Sequence, residues 1–152
     1  NKDYKDVIKY AYCDVNLDGI DELLIGEVEE LYNRFVIYDL YTLVDRKAAH
    51  VLSGWDRNRY YALENGFISN EYSSGAAESG VKIYILSTNS TNLTFQLAFK
   101  YDGYENEKNP WFVSYDDTNG EYDWTPTTED QYNELMSRFN NAIRTTNYNL
   151  LK

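Results

Sequence analysis

The chain has little cysteine and no long apolar run. Cys13 is the single cysteine among 152 residues, so no disulfide can form within the chain. This argues against the class of small secreted scaffolds that depend on disulfides for their stability. No stretch approaches the roughly 18 apolar residues of a membrane span, and no signal peptide is recognisable. Because the sequence begins with Asn1 rather than methionine, we expect residues 1–152 to be a segment excised from a longer precursor.

Positive charge is also scarce. The 14 Lys and Arg residues are outnumbered by 25 Asp and Glu residues, which gives a formal net charge of −11. Such a surface repels the phosphates of nucleic acids and the anionic headgroups of membranes, so neither is an expected partner. The acidic excess suits solubility, cation binding and basic partners.

Aromatic residues, in contrast, are abundant. They make up 16% of the chain, including 16 tyrosines, whereas disordered chains are poor in aromatics. A chain of this length predicts a single domain with a buried core. Tyrosine suits half-wet sheets and binding faces, so we expect a β-rich domain with an aromatic surface.

The order of apolar and turn residues predicts an α+β fold. Mainly antiparallel strands are expected between about residues 9 and 124, with turn signals at Glu64-Asn65-Gly66 and at 117–120. A short helix is expected before the first strand, and SSGAAESG at 73–80 reads as a flexible segment. The predicted strands are Lys9–Cys13, Glu22–Val28, Arg34–Val44, Ala48–Leu52, Arg59–Leu63, Phe67–Tyr72, Val81–Leu86, Leu93–Tyr101, Trp111–Asp116 and Glu121–Trp124.

The C-terminal part predicts an amphipathic helix over 127–143. Pro126 precedes Thr127, and Thr127 together with Asp130 resembles a capping box. Five apolar side chains then recur at helical spacing and form one stripe, which predicts that the helix covers one face of the sheet. These are Tyr132, Leu135, Met136, Phe139 and Ile143.

The segment CDVNLDGIDELLIG at 13–26 predicts a calcium site. Counted from Asp14, oxygen-bearing side chains stand at positions one, three, five and nine, namely Asp14, Asn16, Asp18 and Glu22. Gly19 occupies position six, where the loop must turn, and the carbonyl of Ile20 at position seven can point inward. Calcium binds six to eight oxygens, and alternate positions of a curled loop converge on one centre. The even-numbered Asp21 is expected to face solvent.

The loop has two other interpretations. An EF-hand requires a bidentate glutamate at position twelve, where this chain has Ile25, so the EF-hand is rejected. An Asx-rich turn without a metal remains an alternative. If a cation binds, its role is expected to be structural, because the motif offers no histidine and no spare ligand position.

The same residues resemble the FG-GAP-type calcium loop of integrin-like propellers, D-x-D-x-D-G-x-x-D-L-L-V-G. Asn16 and Glu22 depart from that pattern but keep oxygen ligands, and the single copy does not imply a propeller. The chain also resembles poorly characterised secreted and surface domains of Gram-positive bacteria. That resemblance is carried by the loop, by RNRYYALENGFIS at 57–69, by SSGAAESG at 73–80 and by the helix start at Asp130–Met136. It implies a shared fold and metal loop.

Other candidate chemistry is weaker. Cys13 and His50 could form a thiol–imidazole pair, but Cys13 reads as a buried strand residue and His50 as a strand histidine with satisfied hydrogen bonds. The alternating oxygen-bearing residues at 117–123 suggest a second cation, but the Asn119-Gly120 turn is sufficient to explain them. Trp55, Trp111 and Trp124 fit core packing, at least in two cases, or stacking on a sugar.

We therefore expect a non-catalytic calcium-binding domain that acts as a binding, adhesion or accessory module, with no catalytic residues assigned. Its ligand would be a protein or a carbohydrate. The alternative is a hydrolase that uses paired carboxylates or, less plausibly, Cys13 with His50. Because a loop with three carboxylates and no position-twelve ligand suits the weak affinities of extracellular modules, we expect a secreted or surface-attached bacterial protein.

Overall fold

The computed structural model describes residues 7–118, 121–145 and 149–151. In this part of the chain thirteen β-strands and one α-helix, α1 (Glu129–Ala142), form a mainly antiparallel α+β fold. The strands are β1 (Lys9–Cys13), β2 (Glu22–Glu29), β3 (Arg34–Val44), β4 (Lys47–Ser53), β5 (Asn58–Ala62), β6 (Ile68–Gly75), β7 (Glu78–Leu86), β8 (Leu93–Asp102), β9 (Trp111–Ser114), β10 (Asp117–Thr118), β11 (Glu121–Tyr122), β12 (Thr125–Pro126) and β13 (Asn149–Leu151).

One sheet contains eleven of these described strands. Its order is β12-β9-β8-β7-β6-β5-β3-β2-β1-β13, and β4 also pairs with β3. The long β3 pairs with β2 along one edge and with β4 and β5 along the other. β10 and β11 form a separate small pair.

Apolar residues cover both faces of the sheet, which explains why several strands read as continuous apolar runs. One buried cluster includes Phe35, Ile37 and Leu40, whereas Val36 between them belongs to the other. The second cluster lies under α1. There the ring of Phe139 stacks on Phe99 with centroids 5.9 Å apart. Helix and sheet thus share a core, as expected from the apolar stripe of the helix.

The predicted fold class is confirmed. The helix begins two residues later than expected, because the side chain of Thr128, and not that of Thr127, accepts the N-cap hydrogen bond from the Gln131 amide. Thr127 is instead buried. The predicted N-terminal helix lies largely outside the described residues.

The segment 73–80 is a hairpin, although its small residues suggested a flexible link. β6 and β7 continue through it, with Ser73 opposite Ser79, and a register shift lets the chain turn at Gly75. Gly75 has φ +147°, a conformation that side chains rarely adopt. The short strands β12 and β13 were not expected. No described helix is both long and apolar enough to cross a membrane.

Candidate metal-binding loop

The acidic loop connects β1 to β2 and curls around the carboxylate of Asp14. The amide of Asp18 donates to Asp14 Oδ1 at 3.0 Å, and that of Gly19 donates to Oδ2 at 2.8 Å. The amide of Ile20 donates to Asp18 Oδ1 at 2.9 Å. Positions one, five, six and seven of the loop are therefore drawn together by hydrogen bonds to the two aspartates.

Left-handed residues make the tight curl possible. Gly19 at position six has φ +89°, as the loop pattern requires, and Leu17 at position four has φ +61°. A leucine in this region is strained. Leu17 lies beside Gly66 of the β5–β6 hairpin, where a Cβ on the glycine would be 3.1 Å from Leu17 Cγ. The hairpin turn thus supports the loop from outside.

Asn16 joins the loop to the rest of the sheet. Its Nδ2 donates to the carbonyl of Leu86 at the end of β7 and to Asp18 Oδ2, both at 3.1 Å. Its Oδ1 accepts from the Asp18 amide at 3.3 Å. Asp14, Asn16 and Asp18 consequently lie within hydrogen-bonding reach of one another's side-chain or backbone groups.

Glu22 lies beneath the loop and is 1% exposed. Its Oε2 accepts from the Val15 amide and its Oε1 accepts from Thr42 Oγ1, both at 3.0 Å. Burial is the main reason that the pKa of Glu22 is raised; the two hydrogen bonds oppose this, and the negative charges of Asp18 and Asp14 add to it. A cation between these carboxylates would remove that repulsion.

Arg144, which follows α1, holds the start of the loop. Its Nη2 donates to the carbonyl of Asp14 and its Nε to that of Leu63, both at 3.0 Å. Its Nη1 lies 2.9 Å from the sulfur of Cys13. Burial raises the pKa of the Cys13 thiol, and the nearby guanidinium lowers it in part. Cys13 is half-buried rather than fully buried, and its contact with Arg144 links β1 to the residues that follow α1.

The loop has the oxygen donors that a cation requires, but in this structure its side chains are not arranged to coordinate one. Asp14, Asn16 and Asp18 are brought together, Glu22 faces Val15 and Thr42, and Asp21 is exposed as expected. No described group of three or more His, Cys, Asp or Glu side chains is set to hold a metal ion. A carboxylate has about four lone-pair positions, so the hydrogen bonds leave acceptor capacity. Cation binding would require side chains to shift, above all where Asn16 donates to Asp18. The position of the Ile20 carbonyl stays a prediction.

Cys13 and His50 are not partners. β1 and β4 are separated by β2 and β3, so the two residues are roughly 14 Å apart at a strand spacing of about 4.8 Å. His50 Nε2 lies instead 2.9 Å from Asp39 Oδ1 and 3.0 Å from Ser53 Oγ. Ser53 Oγ also donates to Asp39 Oδ1, at 2.6 Å. Because serine and aspartate meet the same ring nitrogen, this exposed trio lacks the relay order of a catalytic triad.

The sequence did not reveal a cleft under α1. It has a volume of about 380 Å³ and lies between the helix and strands β5 to β7. Arg59, Glu71 and Val81 are direct cross-strand neighbours on its floor, and Met136 and Asn140 of α1 form its roof. The available signal was polar alternation: Arg59 and Glu71 stand at strand positions that face the helix.

Comparison with known proteins finds no matching family model, no matching curated protein and no matching solved structure. The resemblance to FG-GAP-type loops therefore depends on the loop residues themselves.

Proposed function

We propose that this chain is a non-catalytic, calcium-stabilised binding module of a secreted or surface-attached bacterial protein. The observation that carries the proposal is the curled acidic loop, in which Asp14, Asn16 and Asp18 are within hydrogen-bonding reach of each other above the buried Glu22. Asp14, Asn16, Asp18 and Glu22 would hold the ion with their side chains, and Ile20 with its carbonyl.

The physical reason is electrostatic. Four carboxylates, those of Asp14, Asp18, Asp21 and Glu22, occupy nine consecutive positions of a chain whose net charge is −11. Hydrogen bonds from the backbone amides of Val15, Asp18 and Gly19 and from the Thr42 hydroxyl offset part of this repulsion, but these donors carry no net charge. A divalent cation supplies the missing positive charge. Oxygen ligands suit calcium and magnesium alike, but five protein ligands favour calcium, because magnesium usually keeps several water ligands.

Exposed aromatic side chains support a binding role. Trp55 is 59% exposed, and Tyr104 and Tyr115 are 77% and 70% exposed. Aromatic residues are enriched at binding surfaces, because they bury a large area at a low cost in conformational entropy. Trp111 and Trp124, in contrast, are partly buried, which agrees with core packing for two of the three tryptophans.

One observation favours the alternative, a hydrolase. The cleft under α1 is concave and contains two carboxylates, Asp56 and Glu71. Paired carboxylates in a cleft are the requirement for glycoside hydrolysis. Release of nitrophenol from nitrophenyl glycosides, abolished in Glu71→Gln, would establish this alternative in place of the binding role.

Thermal unfolding with and without calcium tests the calcium proposal. At a calcium concentration about 20-fold above Kd, binding to the folded state alone adds about 1.8 kcal/mol, which is a shift in Tm of about 4–7 °C for a domain of this size. Asp18→Ala should abolish the shift, whereas Asp21→Ala, which removes an exposed neighbouring charge, should retain it. A Tm that does not respond to calcium, or an equal response in both variants, would reject the proposal.

A further inference from the structure

The floor of the cleft under α1 is a polar part of a mainly apolar helix-facing surface. Side chains alternate between the two faces of a strand, so residues two apart share a face. The polar residues on the face toward α1 are Arg59 of β5 with Arg57 just before it, Glu71 and Ser73 of β6, and Ser79 of β7. Further along the same face the residues are apolar and buried, as in Leu63 and Ile83. A polar patch inside a packed layer is costly unless its groups find partners.

Several of these groups have no hydrogen-bond partner in the described part of the chain. The Glu71 side chain is partly buried, and its carboxylate accepts no hydrogen bond from the described residues; its neighbours Arg34 and Arg59 act on it through charge. Arg59 itself is engaged, since Nη1 donates to Glu29 Oε1 at 2.7 Å and Nε donates to the Asp56 carbonyl at 3.1 Å. The side-chain amide of Asn140 and the hydroxyl of Ser79 also make no hydrogen bond to the described residues.

The polar groups that line the cleft indicate which ligand chemistry would satisfy their hydrogen bonds. Glu71 can accept hydrogen bonds, the Asn140 side-chain amide can both donate and accept, and the exposed Arg57 guanidinium can donate to a ligand at the mouth of the cleft. The two acidic residues of the lining, Asp56 and Glu71, balance the two arginines, so the cleft has no net charge to attract an ion. Met136 and Val81 provide an apolar wall. A neutral ring with several hydroxyl groups, which donate and accept, and with an apolar C–H face meets all three conditions.

We propose that this cleft binds one hexopyranose unit of a carbohydrate, with Glu71 accepting hydroxyl hydrogen bonds and Arg57 and Asn140 donating to sugar oxygens. The volume of about 380 Å³ lies within the range of small-molecule sites. Asp56 and Arg57 are exposed at the mouth of the cleft, so the rest of a glycan could continue into solvent. This inference names the ligand class of the proposed binding module and rests on that function.

Titration with monosaccharides tests the proposal. Methyl glycosides of glucose, galactose and mannose, and N-acetylglucosamine, are each added up to about 50 mM to the calcium-loaded chain, with binding followed by amide chemical shifts. We expect at least one probe to saturate, with shifts at β5 to β7 and α1. Glu71→Gln should weaken that binding at least about tenfold, because a charged acceptor bonds more strongly than a neutral one. The matched control Glu64→Gln, in the exposed hairpin turn, should leave it unchanged.

A second variant guards against misfolding of the first. Asn140→Leu removes the amide at similar volume and keeps a good helix former on α1, and it should weaken the same probe at least about fivefold. The proposal would be overturned if no probe saturates, or if Glu71→Gln and Asn140→Leu both bind the probe as tightly as the parent does. It would also be overturned if an amino acid such as glycine saturates the cleft in place of sugar, or if the glycoside is cleaved. The calcium-dependent Tm separates the two claims: a protein that binds sugar but does not respond to calcium contradicts only the calcium role.

Discussion

Gly26, the last residue of the apolar run after the acidic loop, should not tolerate any side chain. A Cβ at this position would lie 1.8 Å from the carbonyl oxygen of Val36 and 3.0 Å from Phe35 Cε1. The clash is with the backbone of the paired strand β3, at the point where the β2–β3 register shifts between Ile25 and Gly26. An alanine would therefore force the two strands apart rather than displace a flexible side chain.

The expected cost of Gly26→Ala follows from this geometry. Separation of the strands removes about two ladder hydrogen bonds, worth about 0.5–1.5 kcal/mol each, and adds about 1–3 kcal/mol of overpacking against Phe35. We expect a loss of about 2–6 kcal/mol in the free energy of unfolding, a large share of the stability of a typical domain.

Urea denaturation followed by tryptophan fluorescence measures this loss. Gly103→Ala is the matched control, because the nearest atom to its new Cβ, Tyr101 Oη, would be at an ordinary 3.4 Å. The control should stay within about 0.5 kcal/mol of the parent. If Gly26→Ala were as stable as Gly103→Ala, the close approach of β2 and β3 would be refuted.

Three further predictions concern stability. Leu17→Asn should raise the free energy of unfolding by about 0.5–1 kcal/mol, because asparagine tolerates the φ of +61° better than leucine does; a loss in urea denaturation would show that the contact with Gly66 outweighs the strain. Asp102→Asn should cost about 3–5 kcal/mol at pH 7, because it leaves the buried ammonium of Lys100, now 2.7 Å from the carboxylate, without its charged partner. Burial raises the pKa of Asp102, but the hydrogen bond and charge of Lys100, together with hydrogen bonds from the Glu105 and Tyr104 amides, bring that pKa below its usual value. This stabilisation is therefore present above about pH 4 and is lost as the pH falls through the lower folded pKa. Acid titration of unfolding should accordingly be flatter in Asp102→Asn than in the parent. Thr128→Ala should cost about 1 kcal/mol by removing the N-cap of α1, as measured by the same urea assay, whereas an unchanged midpoint would place the helix start elsewhere.

Local patterns were sufficient for most of the longer strands and for the helix. β3 agrees with its predicted bounds because aromatic and β-branched residues fill it from end to end, and the apolar stripe of α1 marks the face that meets the sheet. The hairpin at 73–80 was misread as flexible, because small polar residues give no strand signal there. Its second strand is held by pairing with β8, where Glu78 lies opposite Asp102, and this pairing depends on a distant part of the chain.

The two candidate sites also differ in how far each depends on local sequence and how far on long-range contacts. The loop at 14–22 is local, so its glycine and alternating oxygens were visible in the sequence. The residues that support the loop were not visible in the sequence. Arg144 contacts Asp14 across a separation of 130 residues, and Thr42 contacts Glu22 across a separation of 20 residues. The cleft under α1 depends on three strands and a helix, and only the fold brings Glu71 and Asn140 to one place.

Calorimetric titration of the chelated protein with calcium tests the central claim most directly. The account predicts one site per chain, with a Kd in the range of about 10⁻⁴–10⁻³ M that extracellular modules show, and loss of the binding heat in Asp18→Ala but not in Asp21→Ala. No binding heat, or equal heat in both variants, would contradict calcium binding by this loop. A Kd near or below about 10⁻⁷ M would instead contradict the extracellular setting, because it matches the affinities of cytosolic sensors and buffers.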